Sequence, residues 1–172
     1  MATVERVEVV EPDPALPGVD AYVGANLSSF LPDGGLVLSS EPDTVGLNLH
    51  AGLRFDDRVA LELGWTGTPT GSRNGMQAGT LDVKGFLSDG PFRPYVLLGG
   101  GVFALQDASV TDDRTLAGPG VRVGAGFELG DDPLTLQVGG TWQAMALADL
   151  ETGADEMQLS GASLGAGLAL TF

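Results

Sequence analysis

The sequence contains no cysteine, which excludes a disulfide framework and a thiolate metal site. Basic residues are scarce: 8 Lys and Arg stand against 23 Asp and Glu, for a net charge of −15. That balance excludes nucleic acid as a partner, because such binding is driven by Lys and Arg neutralising phosphates. There is one histidine, His50, without a nearby Ser or second His with which to begin a catalytic pair. No apolar run suits a spanning helix, since the longest, around Val96 to Leu105, is short and rich in glycine. No stretch shows the 3.6-residue period of an amphipathic helix. The opening Met1-Ala2-Thr3-Val4-Glu5 has neither the basic start nor the apolar run of a secretion signal. If the protein is exported, this start belongs to a mature form given a new initiator methionine.

What is present is alternation. Residues 1–17 are acidic and carry Pro12, Pro14 and Pro17, which do not suit a central strand, so they are expected to form a tail. From residue 18 one unit recurs eight times, an alternating run of roughly ten residues followed by a connector. A strand side chain changes face at every residue, so each run presents two faces. Val45, Leu47, Leu49, Ala51, Leu53 and Phe55 are all apolar, whereas Gly46, Asn48, His50, Gly52 and Arg54 are small or polar. Val23, Ala25 and Leu27 oppose Tyr22, Gly24 and Asn26; Leu61, Leu63 and Trp65 oppose Glu62 and Gly64. Leu81 and Val83 oppose Asp82 and Lys84; Val121, Val123 and Phe127 oppose Arg122 and Glu128; Leu136, Val138 and Trp142 oppose Gln137. The last run places Leu164, Leu168 and Leu170 against Gly165, Gly167 and Thr171 and ends at Phe172. The fifth run, 94–106, has apolar residues on both parities, and the aromatic-bearing set Tyr95, Leu97, Phe103 and Leu105 is assigned to the apolar face. Long polar connectors at 29–43, 67–75, 107–118 and 146–156 alternate with tight turns such as Gly130-Asp131-Asp132-Pro133.

An even number of antiparallel strands joined as hairpins closes into an up-and-down barrel. The polar faces decide which way it is turned. They carry Arg54, Glu62, Asp82, Lys84, Arg122 and Glu128, together with Tyr22, Asn26, Asn48, His50, Gln137 and much glycine. A water-facing surface has no reason to favour glycine, which weakens strands. A narrow eight-stranded lumen does, because side chains share little volume there. Acid and base occur together on that face, as buried charges require. The apolar faces therefore point outward to lipid and the charges inward, the pattern of a transmembrane barrel with short turns at one end and long loops at the other. Phe55, Trp65, Tyr95, Phe103, Phe127, Trp142 and Phe172 are expected to form two aromatic girdles at the membrane interfaces. A soluble lipocalin-like barrel, with its apolar face inward, is the competing architecture.

The stretches Asp20-Ala21-Tyr22-Val23-Gly24-Ala25-Asn26, Ala60-Leu61-Glu62-Leu63-Gly64-Trp65, Pro94-Tyr95-Val96-Leu97-Leu98-Gly99-Gly100-Gly101 and Leu168-Ala169-Leu170-Thr171-Phe172 resemble the small eight-stranded outer-membrane barrels of Gram-negative bacteria, the outer-membrane-protein-A-like barrel family. The resemblance covers residues 18–172. It implies an all-β, eight-stranded antiparallel up-and-down barrel in the bacterial outer membrane, with long loops extracellular and both termini periplasmic. It also implies that Phe172 belongs to the signal read by the barrel-assembly machinery. With only 2 Tyr and 2 Trp and with unusually regular repeats, the chain has the look of a designed or consensus-like member.

The acidic residues Asp107, Asp112, Asp113, Asp149, Glu151, Asp155 and Glu156 read as solvated loop charges, since no calcium-loop spacing is present. Gly99-Gly100-Gly101 is not a phosphate loop, because no Lys-Ser/Thr follows and no helix begins there. The expectation is a monomeric, non-enzymatic barrel with a structural or surface role and a lumen plugged by paired charges. Lipid (or detergent) and the assembly machinery are its partners, and no metal, cofactor or small-molecule substrate is implied. A narrow ion or small-solute channel and a loop-mediated adhesion module are the alternatives.

Overall fold

The computed structural model describes residues 18–33, 45–56, 58–70, 74–107, 114–150 and 157–172. These form eight strands: β1 Val19–Pro32, β2 Val45–Phe55, β3 Val59–Thr70, β4 Asn74–Phe86, β5 Phe92–Asp107, β6 Arg114–Leu129, β7 Leu134–Asp149 and β8 Met157–Thr171. Each pairs antiparallel with its sequence neighbour, and β1 pairs with β8 to close the barrel. Closure leaves no free sheet edge, so the backbone groups of the wall pair within it, except where the β6–β7 register skips Gly118 and Pro119.

The alternation of the sequence becomes inside and outside. Leu63, Leu98, Val102, Leu164 and Leu168 project from the wall, each more than half exposed. Arg54, Glu62, Asp82, Lys84, Arg122 and Glu128 are buried within it. An apolar exterior around a charged interior is the inverse of a soluble barrel and is stable only with lipid outside. At the short-turn end the reversals are tight: Asp56 (φ 49°) turns β2 into β3, and Gly130 (φ 125°) follows β6, a backbone region that a side chain there would strain. The Asp56 amide donates to the Gly18 carbonyl at 2.9 Å, tying this turn to the start of β1.

Two expectations are corrected. In β5 the aromatic-bearing set points inward: Leu97, Phe103 and Leu105 are buried, while Val96, Leu98 and Val102 are the outward residues. The strands also run further than ten residues, up to 16 in β5, β6 and β7. Part of each expected loop, 29–43, 67–75, 107–118 and 146–156, is therefore strand. Asp107 ends β5, and Asp149 ends β7 with its side chain buried. One cause underlies both corrections. Toward the loop end the inward positions become apolar, with Phe30, Met76, Ala78, Phe103, Leu105, Leu116, Met145, Leu147 and Leu159 packed into one cluster. There the polar–apolar alternation that marks a strand disappears. The tail 1–17, most of the first loop, and Asp112, Asp113, Glu151, Asp155 and Glu156 lie outside the described residues.

Candidate functional site: a layered lumen

Strand register brings charges from β2, β3, β4, β5 and β6 to one level of the lumen. Arg54 Nη2 donates to Glu128 Oε2 at 2.9 Å. Glu128 also accepts from Gln137 Nε2 at 3.0 Å and lies 3.4 Å from the Arg93 guanidinium and 3.6 Å from Lys84 Nζ. Lys84 donates to Glu62 at 2.8 Å, and the Tyr22 hydroxyl donates to the same Glu62 oxygen at 3.0 Å. The seven groups thus form one connected network in which each carboxylate serves several donors. Buried charge is tolerable only on those terms.

Aromatic faces complete the layer. Lys84 Nζ lies 4.6 Å from the Tyr95 ring centroid, and the Arg54 guanidinium lies 5.1 Å from that of Phe86 and 5.4 Å from that of Tyr22. These are cation–π distances in a desolvated setting, where such contacts are strongest. A second pair stands apart: Arg122 Nε donates to Asp82 Oδ1 at 2.6 Å, and its Nη2 meets the other carboxylate oxygen, a bidentate fork. Thr80 donates to Asp82 at 3.0 Å. Gly99 makes room for this pair, since a Cβ there would fall 2.6 Å from the Leu81 carbonyl oxygen and collide with the Asp82 carboxylate.

Above the charges lies a polar layer. Asn48 donates to Thr66 at 2.7 Å, and the Thr141 and Ser163 hydroxyls are 2.7 Å apart. A cavity of about 80 Å³ sits here, with Glu62, Lys84 and Arg122 at one end and Phe30, Met76 and Ala78 at the other. The apolar cluster then fills the loop end. The lumen is thus charged, then polar, then apolar, from turns to loops.

All six charged residues expected in the lumen are there, as are Tyr22, Asn26, Asn48, His50 and Gln137. His50 is buried with its ring edge-on to Tyr22, centroids 6.1 Å apart. Among the described residues no group of three or more His, Asp and Glu side chains is placed to hold a metal ion. Arg93 lies just before the expected run 94–106 and so escapes the sequence reading; β5 starts at Phe92, and Arg93, in phase with Tyr95, is buried in the lumen. On the outside, Phe55, Trp65, Trp142 and Phe172 are exposed and Phe127 is half-buried against Phe92, with centroids 5.7 Å apart. Tyr95 and Phe103 do not join them, for both face the lumen, and Phe92 takes an outward place that the sequence reading had left empty. Trp142 Nε1 donates to Asp33 Oδ2 at 2.8 Å.

A closed barrel with an apolar outer wall and a charged interior defines an integral membrane β-barrel. The chain belongs to the outer membrane protein beta-barrel domain family, whose model matches residues 14–172. No curated protein matches it by sequence. Among solved structures it is similar to Neisserial surface protein A (TM-score 0.67, 14% identity, 90% of this chain and 97% of that one). It is also similar to the N-terminal barrel of Pseudomonas aeruginosa OprF (0.61, 14%, 89% and 97%) and to Ail, the attachment invasion locus protein of Yersinia pestis (0.55, 13%, 90% and 97%). At such identities the likeness concerns the fold. Family and fold together assign the protein to the bacterial outer membrane.

Proposed function

We propose that this protein is a structural, surface-exposed outer-membrane barrel whose lumen is plugged by its own paired charges, with long loops extracellular and both termini periplasmic. One observation carries the reading: the Arg54, Glu62, Lys84, Arg93 and Glu128 network spans the lumen at the turn end. An eight-stranded lumen is just wide enough for side chains to fill, and here charged pairs fill one level and apolar side chains another. The lumen hydroxyls of Thr80 and Tyr22 each donate to a carboxylate that is already held by a cation, which supports a structural role for them.

Planar-bilayer recording tests this. The protein should give at most small, rare conductance steps, and Glu62→Ala/Lys84→Ala, which empties part of the plug without changing net charge, should conduct more. A steady, large conductance from the unaltered protein overturns the plug in favour of a narrow channel.

A further inference from the structure

The buried charges of the charged layer and the fork beside it do not balance. Arg54, Lys84, Arg93 and Arg122 face Glu62, Asp82 and Glu128, and all seven are at most 7% exposed. Four cations against three carboxylates leave a surplus of one positive charge. His50 can only enlarge it, because its ionised form is a cation. Two further carboxylates lie elsewhere. Asp20, opposite Arg54 in the β1–β2 register, is half-buried at the turn-end mouth, where water solvates it. Asp149 is buried at the loop end, beyond the apolar cluster, and has contacts of its own there. A buried charge without an opposite is costly, so the layer calls for a counter-ion.

Packing decides where that ion can sit. On the turn side the layer is sealed. Arg54 Nε and Nη1 and Arg93 Nε are buried without a hydrogen-bond partner, and both guanidinium groups lie against the Phe86 ring, at 5.1 and 5.9 Å from its centroid. On the loop side the layer borders the cavity of about 80 Å³. A water needs roughly 10–15 Å³ of such space, so the cavity admits a small ion together with several waters. Lys84 and Arg122 both line it. Among the described residues Glu62 is the one carboxylate on its wall, and it already accepts from Lys84 and Tyr22. The other polar groups of the wall are neutral amides and hydroxyls, among them Asn48, Gln143, Thr141 and Ser163. Arg122 gives Nε and Nη2 to Asp82, which turns its Nη1 away from that carboxylate. Gln143, itself buried, lies directly across the β6–β7 ladder from Arg122 and can present its amide N–H to the same space.

We propose that this cavity is the site of one small monovalent anion of the halide class, held by Arg122 Nη1 and the Gln143 amide with the Lys84 charge beside it. The ion is a structural counter-ion, enclosed as the barrel closes, so the site needs no open path through the charged plug or the apolar cluster. Its charge is set by the surplus of one, which a divalent anion would overshoot. Its size is set by the cavity, and its sign by a wall that offers N–H and O–H donors and a single, already occupied carboxylate. A carboxylate at position 143 would balance the layer in the same place; glutamine leaves that place to the ion.

The test uses the full chain refolded into detergent in sodium bromide or in equimolar sodium gluconate, whose anion is too bulky for the cavity. The urea midpoint should be higher in bromide, and crystals grown from bromide should show an anomalous peak in the cavity beside Arg122. Two variants separate the site from a general salt effect. Gln143→Glu builds the missing carboxylate into the cavity wall. Arg93→Gln removes the surplus charge from the far side of the layer without touching the cavity. Each, where heat-modifiable gel migration shows it folded, should have the same midpoint in both salts, and crystals of Gln143→Glu should lack the peak. If one variant does not fold, the other decides. Equal midpoints in the two salts for the unaltered protein, no peak in its cavity, or a bromide advantage that a folded variant retains in full overturns the anion site.

Discussion

Arg54 of β2 and Glu128 of β6 meet inside the barrel at 2.9 Å, each at most 1% exposed, though they lie 74 residues apart in sequence and on strands that do not pair. Because each is held by the barrel wall rather than by its partner, removing one leaves the other stranded. Glu128→Gln removes the charge that faces Arg54, Lys84 and Arg93 together. Breaking a buried pair from one side costs about 3–5 kcal/mol, and a lower urea midpoint for unfolding from lipid should report a loss of that size. An unchanged midpoint would mean that water enters this layer and screens it.

The bidentate Arg122–Asp82 pair depends on a missing side chain. Gly99→Ala puts a methyl group where the Asp82 carboxylate and the Leu81 carbonyl now lie. The fork must then break, or β4 and β5 must separate. Refolding into detergent should fall in yield. By contrast Gly79→Ala, on the same two-strand ladder but pointing into open space, should refold normally. Comparing the two separates crowding from the strand preference that alanine brings to either site.

The outward face should answer to depth. Leu98, 65% exposed in the middle of β5, and Leu87, 70% exposed just past the end of β4, differ mainly in distance from the turn end. An arginine costs about 2–4 kcal/mol at the bilayer midplane and about 0–1 kcal/mol near the interface. Leu98→Arg should therefore lower stability in liposomes by several times the effect of Leu87→Arg. Equal effects would count against the bilayer lying across β5 at that level.

What the sequence disclosed and what it hid follow from one physical rule. Where the two faces of a strand meet different media, alternation is clean, and β2 with His50 and Arg54 inside and Leu49 and Leu53 outside was legible at once. The charged residues of the lumen were found for the same reason. Toward the loop end Phe103, Leu105 and Leu147 fill the interior with apolar atoms. There strand and loop, and inside and outside, become indistinguishable by period, so the parity of β5 is inverted and all four long loops are shorter than the period suggests. Aromaticity misled there as well. Tyr95 falls on the inward parity of β5 with Arg93 and Leu97, where its ring face meets the Lys84 cation, and such a ring looks, from sequence, like any interfacial aromatic. The interrupted β6–β7 ladder was written in Gly118-Pro119-Gly120, but that triplet had been placed in and beside a loop, where a proline signifies little.

Phe172 allows folding and assembly to be separated. Its amide donates to the Ala21 carbonyl at 2.9 Å and its carbonyl accepts from the Ala21 amide at 3.3 Å, so its backbone takes part in the β1–β8 closure. Its ring is 72% exposed on the outer wall and does little for packing. Phe172→Ala keeps both backbone bonds and removes only the ring, so refolding in detergent and the urea midpoint should hardly change. Deletion of Phe172 removes both bonds as well, and at about 0.5–1.5 kcal/mol each it should lower the midpoint measurably. In cells both variants should reach the outer membrane in much smaller amounts if the terminal ring is what the assembly machinery reads. Equal surface levels for Phe172→Ala and the unaltered protein would leave Phe172 with the closing bonds alone.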